Sequence, residues 1–270
     1  MRCAHSTRPD QRAGDRRRRT VTGAHAWQSG ADSARSGFPL NDSAMTLPCV
    51  EIETAANPRH AVIWLHGLGA DGNDFAPLVP QLVDPGWPPL RFVFPHAPIR
   101  AVTINAGMHM RAWYDILGVR IADRQDEAGI RASIGELDAL IAREAERGIP
   151  AARVLVAGFS QGGAIALAGS LRHASALAGV IALSTYLPLD DRTAAERHPA
   201  NAGLAVFMAH GSFDPIVPQS LGLASRDQLR QLGHEVAWHS YPMAHQVCLE
   251  EIADLRDWIS ARLTGALPAA

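Results

Sequence analysis

Gly158-Phe159-Ser160-Gln161-Gly162-Gly163 follows the apolar run Val154-Leu155-Val156-Ala157 and opens an alanine-rich segment, so Ser160 stands where a strand turns into a helix. That context carries more chemistry than the Gly-x-Ser-x-Gly pentapeptide alone. A serine on so tight a turn must hold a strained backbone, and small residues two before and two after it let strand and helix approach without collision. The turn lifts the hydroxyl above the carboxyl end of a sheet, and the first turn of the helix leaves N–H groups free to face an oxyanion. A serine hydroxyl is a weak nucleophile near neutral pH. It needs a general base, and the base needs a carboxylate to set its tautomer and stabilise the imidazolium.

On a sheet of this kind the expected chain order is nucleophile, acid, base. The apolar run over 204–209 empties into His210-Gly211-Ser212-Phe213-Asp214-Pro215, and the run over 235–241 ends in Tyr241-Pro242-Met243-Ala244-His245. Both loops fall at carboxyl ends of strands, where open α/β sheets gather their ligand-binding residues. Asp214 and His245 are the candidate acid and base. Asp214 has a competing role as a turn residue before Pro215. Among twelve histidines, His210, His234 and His239 are near enough to rival His245; loop position and chain order favour His245. For the tetrahedral oxyanion, the backbone N–H of Gln161 is one candidate donor. The N–H of Leu68 is the second, in the loop His66-Gly67-Leu68-Gly69-Ala70-Asp71-Gly72 after the strand at 61–65. That loop has neither a Gly-Lys-Ser/Thr nor a GxGxxG pattern, which speaks against a phosphate cradle.

From Val50 onward, candidate strands and helices alternate, the pattern of a mainly parallel central sheet with helices on both faces. Strands are predicted over 61–65, 90–94, 154–157, 180–183, 204–209 and 235–241, most of them continuous apolar runs. Helices are predicted over 74–82, 161–171, 218–232 and 249–263, and Ile130, Ile134, Leu137, Leu140 and Ile141 keep helical spacing on a further one ending near Gly148. The expected fold is α/β, with a single domain over 45–270. Residues 1–44 are rich in Arg, Ser, Gly and Asp, include Arg16-Arg17-Arg18-Arg19 and show no periodicity that could bury a face. They are expected to be a disordered extension, with Met45 beginning the globular part.

Composition removes whole classes of chemistry. All 25 basic residues are arginine, which excludes Schiff-base catalysis, pyridoxal phosphate attachment and a phosphate-loop lysine. A net charge of -2 gives no reason to expect a nucleic-acid partner. Cys3, Cys49 and Cys248 form no CxxC pair, so neither a disulfide framework nor a metal site is signalled, and a reducing cytoplasm is the expected compartment. No apolar run approaches the roughly 18 residues that span a bilayer.

With these residues in place the chain resembles the carboxylesterase and acyl-protein thioesterase family of α/β-hydrolases. The match runs over about 62–263. It is carried by the 66–72 loop, Arg111-Ala112-Trp113-Tyr114-Asp115, the Ser160 turn, His210-Gly211 with Asp214, and Met243-Ala244-His245. The resemblance implies Ser160, Asp214 and His245 as triad and Leu68 with Gln161 as oxyanion donors. It also implies an acyl site walled by a loop over 104–117 that includes Met108, Met110, Trp113 and Tyr114, with Tyr186 and Leu187 on the other side. Ordinary core packing is the competing role for Trp113 and Ile116. Where many relatives have glycine, Ala244 precedes the histidine, which predicts a small shift of that loop. The implied activity is cofactor-free serine hydrolysis of short to medium acyl esters and acyl thioesters, with a homodimer expected by analogy. The alternatives are a lysophospholipase, a depalmitoylating protein thioesterase, or a catalytically silent fold that binds a ligand.

Overall fold

Successive side chains leave opposite faces of a strand, so a strand apolar at every position demands cover on both sides. The computed structural model describes residues 47–118 and 124–264; the expectation for 1–44 lies outside them. The elements run β1 (Cys49–Glu53), β2 (His60–Leu65), α1 (Val79–Leu82), β3 (Leu90–Pro95), β4 (Ile99–Val102), β5 (Met108–Arg111), α2 (Glu127–Glu146), β6 (Val154–Phe159), α3 (Gln161–Arg172), β7 (Gly179–Leu183), α4 (Asp190–Glu196), β8 (Val206–Gly211), α5 (Gln219–Gln231), β9 (Val236–Tyr241) and α6 (Leu249–Thr264). Seven strands form one sheet in the order β1-β3-β2-β6-β7-β8-β9. Only β1 is antiparallel to its neighbour.

The alternation sorts the interior into two cores. Ile63, Val156, Ala182 and Met208 join the face covered by α2, α3 and α5. Their neighbours Trp64, Ala157, Leu183 and Phe207 pack on the other face with α1 and α6. Each buried Val, Leu, Ile, Phe or Met side chain contributes roughly 1.5–3 kcal/mol by leaving water. In chain order the sheet grows outward from β2 in both directions, toward β3 on one side and β6 on the other. The crevice at the carboxyl ends of β2 and β6 is therefore a topological switch point.

Three departures from the sequence expectations have local causes. The helix expected over 74–82 is a 3-10 turn at Ala76–Leu78 followed by the single turn of α1, because Pro77 and Pro80 each remove a helix donor. Residues 104–117 do not form one loop, since β5 pairs antiparallel with β4, Val102 opposite Met108. No residue of β5 is fully buried, so no alternation marked it. β1 and α4 also went unmarked; in α4 only Thr193 is buried.

Arginine forks tie the sheet edge to α2. The fully buried carboxylate of Glu144 accepts from Arg91 (2.6 Å) and Arg147 (2.9 Å), while Glu51 on β1 accepts from Arg143 (2.8 Å) and Arg147 (2.8 Å). Guanidinium geometry suits such shared pairing better than an ammonium would.

Glu251, in the first turn of α6, is also fully buried. Burial pushes its carboxyl up to about 8, with the Cys248 backbone opposing and the Asp254 charge adding. The folded protein then keeps a proton that the unfolded chain releases near 4.5. This group's contribution to stability is full below that pH and lost as pH rises toward 8. Glu251→Gln is expected to be more stable than wild type at pH 8.5 by on the order of a few kcal/mol, with the difference vanishing near pH 4. Urea melts across that range giving a constant difference would contradict the assignment.

Candidate active site

Ser160 has φ 53° and ψ −120° between β6 and α3. This left-handed conformation costs a non-glycine residue on the order of 1–3 kcal/mol and persists only where the surroundings over-determine it. Here they do. The Ser160 N–H donates to the Leu183 carbonyl (2.8 Å), and its own carbonyl accepts from the Thr185 hydroxyl (2.6 Å) and the Ala164 N–H (3.1 Å). A Cβ at Gly158 would strike the backbone of Gly162, and one at Gly162 would strike the carbonyls of Leu65 and His66. Glycine is required at both positions because β6, α3 and the end of β2 touch.

The Ser160 hydroxyl oxygen lies 2.9 Å from His245 Nε2, and His245 Nδ1 lies 2.6 Å from Asp214 Oδ2. Asp214 Oδ1 accepts the N–H groups of Ile216 (2.8 Å) and Val217 (2.9 Å), and the carboxylate is fully buried. A carboxylate only accepts, so Nδ1 carries the proton and Nε2 is left to accept from the serine. Gly211 allows the close approach of these loops: a Cβ there would collide with the Met243 and Ala244 carbonyls. Ala244 is not among the positive-φ residues, so alanine before His245 requires no strain and the histidine is in reach.

The rival histidines do not hydrogen-bond Ser160, although His210 Nε2 also comes within 3.5 Å of Asp214 Oδ2. His210 Nε2 lies 2.8 Å from the Val217 carbonyl, and burial lowers the pKa of its ring; as the neutral imidazole it donates to that carbonyl and braces the Asp214 loop. His234 sits on the Leu204 carbonyl and His239 beside Asp254. Among the described residues, His245 is the histidine that hydrogen-bonds Ser160.

Leu68 lies in the loop after β2 and Gln161 opens α3 just after β6, and β2 and β6 are adjacent strands. Among the described residues no acceptor takes either backbone N–H. The Leu68 loop is pinned by His66. Its Nε2 accepts the Ala97 N–H (3.0 Å), so Nδ1 carries the proton donated to the Gly67 carbonyl (2.7 Å). Burial lowers the pKa of this ring, consistent with a neutral structural histidine. Gly69, at φ 78°, closes the turn with an N–H bond to the Arg111 carbonyl (2.9 Å).

Leu68, Ser160 and Gln161 open on a cavity of about 360 Å³ whose other walls include Ile104, Tyr114, Ile116, Tyr186, Ile216 and Val217. A hydroxyl relayed through imidazole to carboxylate, beside two free N–H groups and an apolar cavity, can attack a carbonyl and hold the oxyanion that results.

A family model described as Phospholipase/Carboxylesterase matches residues 47–263. The chain belongs to the phospholipase/carboxylesterase family. It is similar to acyl-protein thioesterase 1 of Neurospora crassa, 38% identical over 230 residues that cover 80% of this chain and 92% of that one. To acyl-protein thioesterase 1 of Mycosarcoma maydis it is 40% identical over 233 residues, covering 80% and 95%. Among solved structures, Zea mays acyl-protein thioesterase 2 superposes with a TM-score of 0.72 at 26% identity, over 80% of this chain and 99% of the other. This phospholipase/carboxylesterase-family chain is thus a serine hydrolase with ester substrates. Among its described residues no helix is long and apolar enough to cross a membrane.

Of the nine site residues expected from sequence, Leu68, Ser160, Gln161 and Tyr186 line this family member's cavity, and His245 and Asp214 join them through the hydrogen-bond chain from Ser160. Trp113, Met110 and Leu187 do not line it. Trp113 takes the core role, 1% exposed, because its indole N–H needs the His66 carbonyl (2.8 Å). Met110 turns its sulfur to the Asn105 amide (3.2 Å), and Leu187 lines a smaller cavity beyond Tyr186.

Sequence reasoning missed two contributions. Ile216 and Val217, after Asp214-Pro215, form a cavity wall, and Ile216 is 59% exposed there; the available signal was an apolar pair in a turn. The buried Gln161 side chain is the other, for its Oε1 accepts the Trp113 N–H (2.8 Å) and its Nε2 donates to the Tyr114 carbonyl (2.7 Å). Gln161→Ala strands both backbone groups and is expected to cost about 2–4 kcal/mol in urea melts, whereas a loss below 1 kcal/mol would show that the loop does not depend on this clamp.

Proposed function

We propose that Ser160 is the nucleophile, His245 the general base and acid, and Asp214 the orienting carboxylate of a hydrolase acting on short to medium acyl esters and acyl thioesters. In this reading the Ser160 oxygen bonds to the acyl carbon as His245 Nε2 takes its proton, and the N–H groups of Leu68 and Gln161 hold the oxyanion. Collapse breaks the bond to the alcohol or thiol, which leaves with the proton from His245. Water, deprotonated by the same ring, then releases the acid and restores the serine.

The observation that carries the proposal is the Ser160–His245–Asp214 hydrogen-bond chain at the mouth of an apolar cavity. The complete chain also speaks against a silent binding fold. Thioesters are included because the similar fungal proteins are named acyl-protein thioesterases. Butyryl and octanoyl esters of p-nitrophenol and the matching acyl-thiocholines are expected to show a burst of leaving group followed by steady turnover, both abolished by a fluorophosphonate bound at Ser160. Label on another residue, or turnover that survives labelling, would refute the assignment.

A further inference from the structure

Two buried phenols face the cavity that holds Ser160. Tyr114 and Tyr186 both line it, are 2% and 5% exposed, and have hydroxyls 2.9 Å apart although 72 positions separate them in the chain. Burial holds the Tyr186 phenol at about 12 and Tyr114 well above its ordinary value, so both stay protonated and one donates to the other. Beyond Tyr186 lies a second cavity of about 60 Å³, and Tyr186 is the only lining residue that the two share. Their chemistry differs. The first has aliphatic walls in Ile104, Ile116, Ile216 and Val217, whereas the second sets Gln125, Asp190, Ser225 and Gln228 beside Leu187 and Leu221. There, Ser225 Oγ accepts the Leu187 N–H (2.8 Å) and Gln125 Oε1 accepts the Leu189 N–H (2.9 Å).

We propose that Tyr186 is the partition that limits the acyl group this hydrolase accepts, and that the Tyr114 hydroxyl is the latch that holds it in place. The inference rests on the reading of the first cavity as the acyl site. A chain that runs from Ser160 toward the ring can extend in that direction only by displacing it, and close-packed walls resist each added methylene. The latch is needed because Tyr186 has an alternative: without Tyr114 its hydroxyl finds polar partners on the far side, and a buried hydroxyl does not stay unpaired. Thr185, the preceding residue, donates to the Ser160 carbonyl (2.6 Å), which sets the base of the partition close beside the nucleophile.

The test compares kcat/KM for p-nitrophenyl esters from butanoyl to dodecanoyl in wild type, Tyr186→Ala and Tyr114→Phe. A methylene that fits or fails to fit a pocket changes kcat/KM by about tenfold or more. The dodecanoyl to butanoyl ratio is therefore expected to rise at least tenfold in Tyr186→Ala and by a smaller factor in Tyr114→Phe. Tyr114→Phe keeps the ring volume and preserves the test if Tyr186→Ala does not fold. Variants in which every ester declines by one common factor, leaving the ratio as in wild type, would overturn the partition. A wild type inert toward all the esters would instead remove the acyl-site reading beneath it.

Discussion

Ser160→Ala is expected to lower kcat for butyryl and octanoyl esters by about 10⁶-fold, some 8 kcal/mol of transition-state stabilisation. Alanine keeps the Cβ that fits the turn and pays the same left-handed penalty as serine, so the backbone anchors at Leu183, Ala164 and Thr185 survive. Only the attacking oxygen disappears, together with its 2.9 Å bond to His245. The melting temperature is therefore expected to stay within about 4 °C of wild type. Stopped-flow release of p-nitrophenol with purified protein separates the possibilities. A surviving burst would mean that another residue is acylated, and a collapsed melting transition would mean that the hydroxyl serves the fold rather than the reaction.

Asp214→Asn is expected to cost about 10⁴-fold in kcat, through the tautomer rather than through distance. Oδ1 of Asp214 already accepts two N–H groups, from Ile216 and Val217. An asparagine must keep its carbonyl oxygen there, which turns its NH₂ toward His245 Nδ1. That nitrogen then has to accept, the ring proton moves to Nε2, and a donor faces the serine that should be giving up its proton. The position is isosteric, so folding is expected to survive. Asp214→Ala, by contrast, leaves the Ile216 and Val217 N–H groups and the ring proton without partners and is expected to lose stability as well. If Asp214→Asn retained more than a tenth of wild-type kcat, Asp214 would be the plain turn residue that its place before Pro215 also allows.

The elements closest to these side chains were the ones legible in the sequence, for a shared reason. The serine turn, the glycine loop after β2 and the two loops after β8 and β9 each follow a buried apolar strand, and parallel strands deliver all such loops to one edge of the sheet. Chain order and local spacing were enough to bring Ser160, Asp214 and His245 together, although 85 and 31 positions separate His245 from its two partners. The β4–β5 hairpin was not legible, since neither strand buries a continuous face. Trp113 and Tyr114 show the limit most clearly: neighbours in sequence, both aromatic and both buried, yet one braces the glycine loop after β2 from the core and the other lines the cavity.

By itself the sequence determined which side chains meet at the carboxyl edge of the sheet and the sheet that presents them, because strand ends and turn glycines are local features whose meeting point topology guarantees. Only the tertiary structure decided the cavity: that Tyr186 rather than Leu187 walls it, that Ile216 and Val217 complete it, and that a glutamine amide holds its loop. A wall is made by side chains from distant segments competing for one volume, and the outcome depends on which polar atoms find partners once all of them are packed.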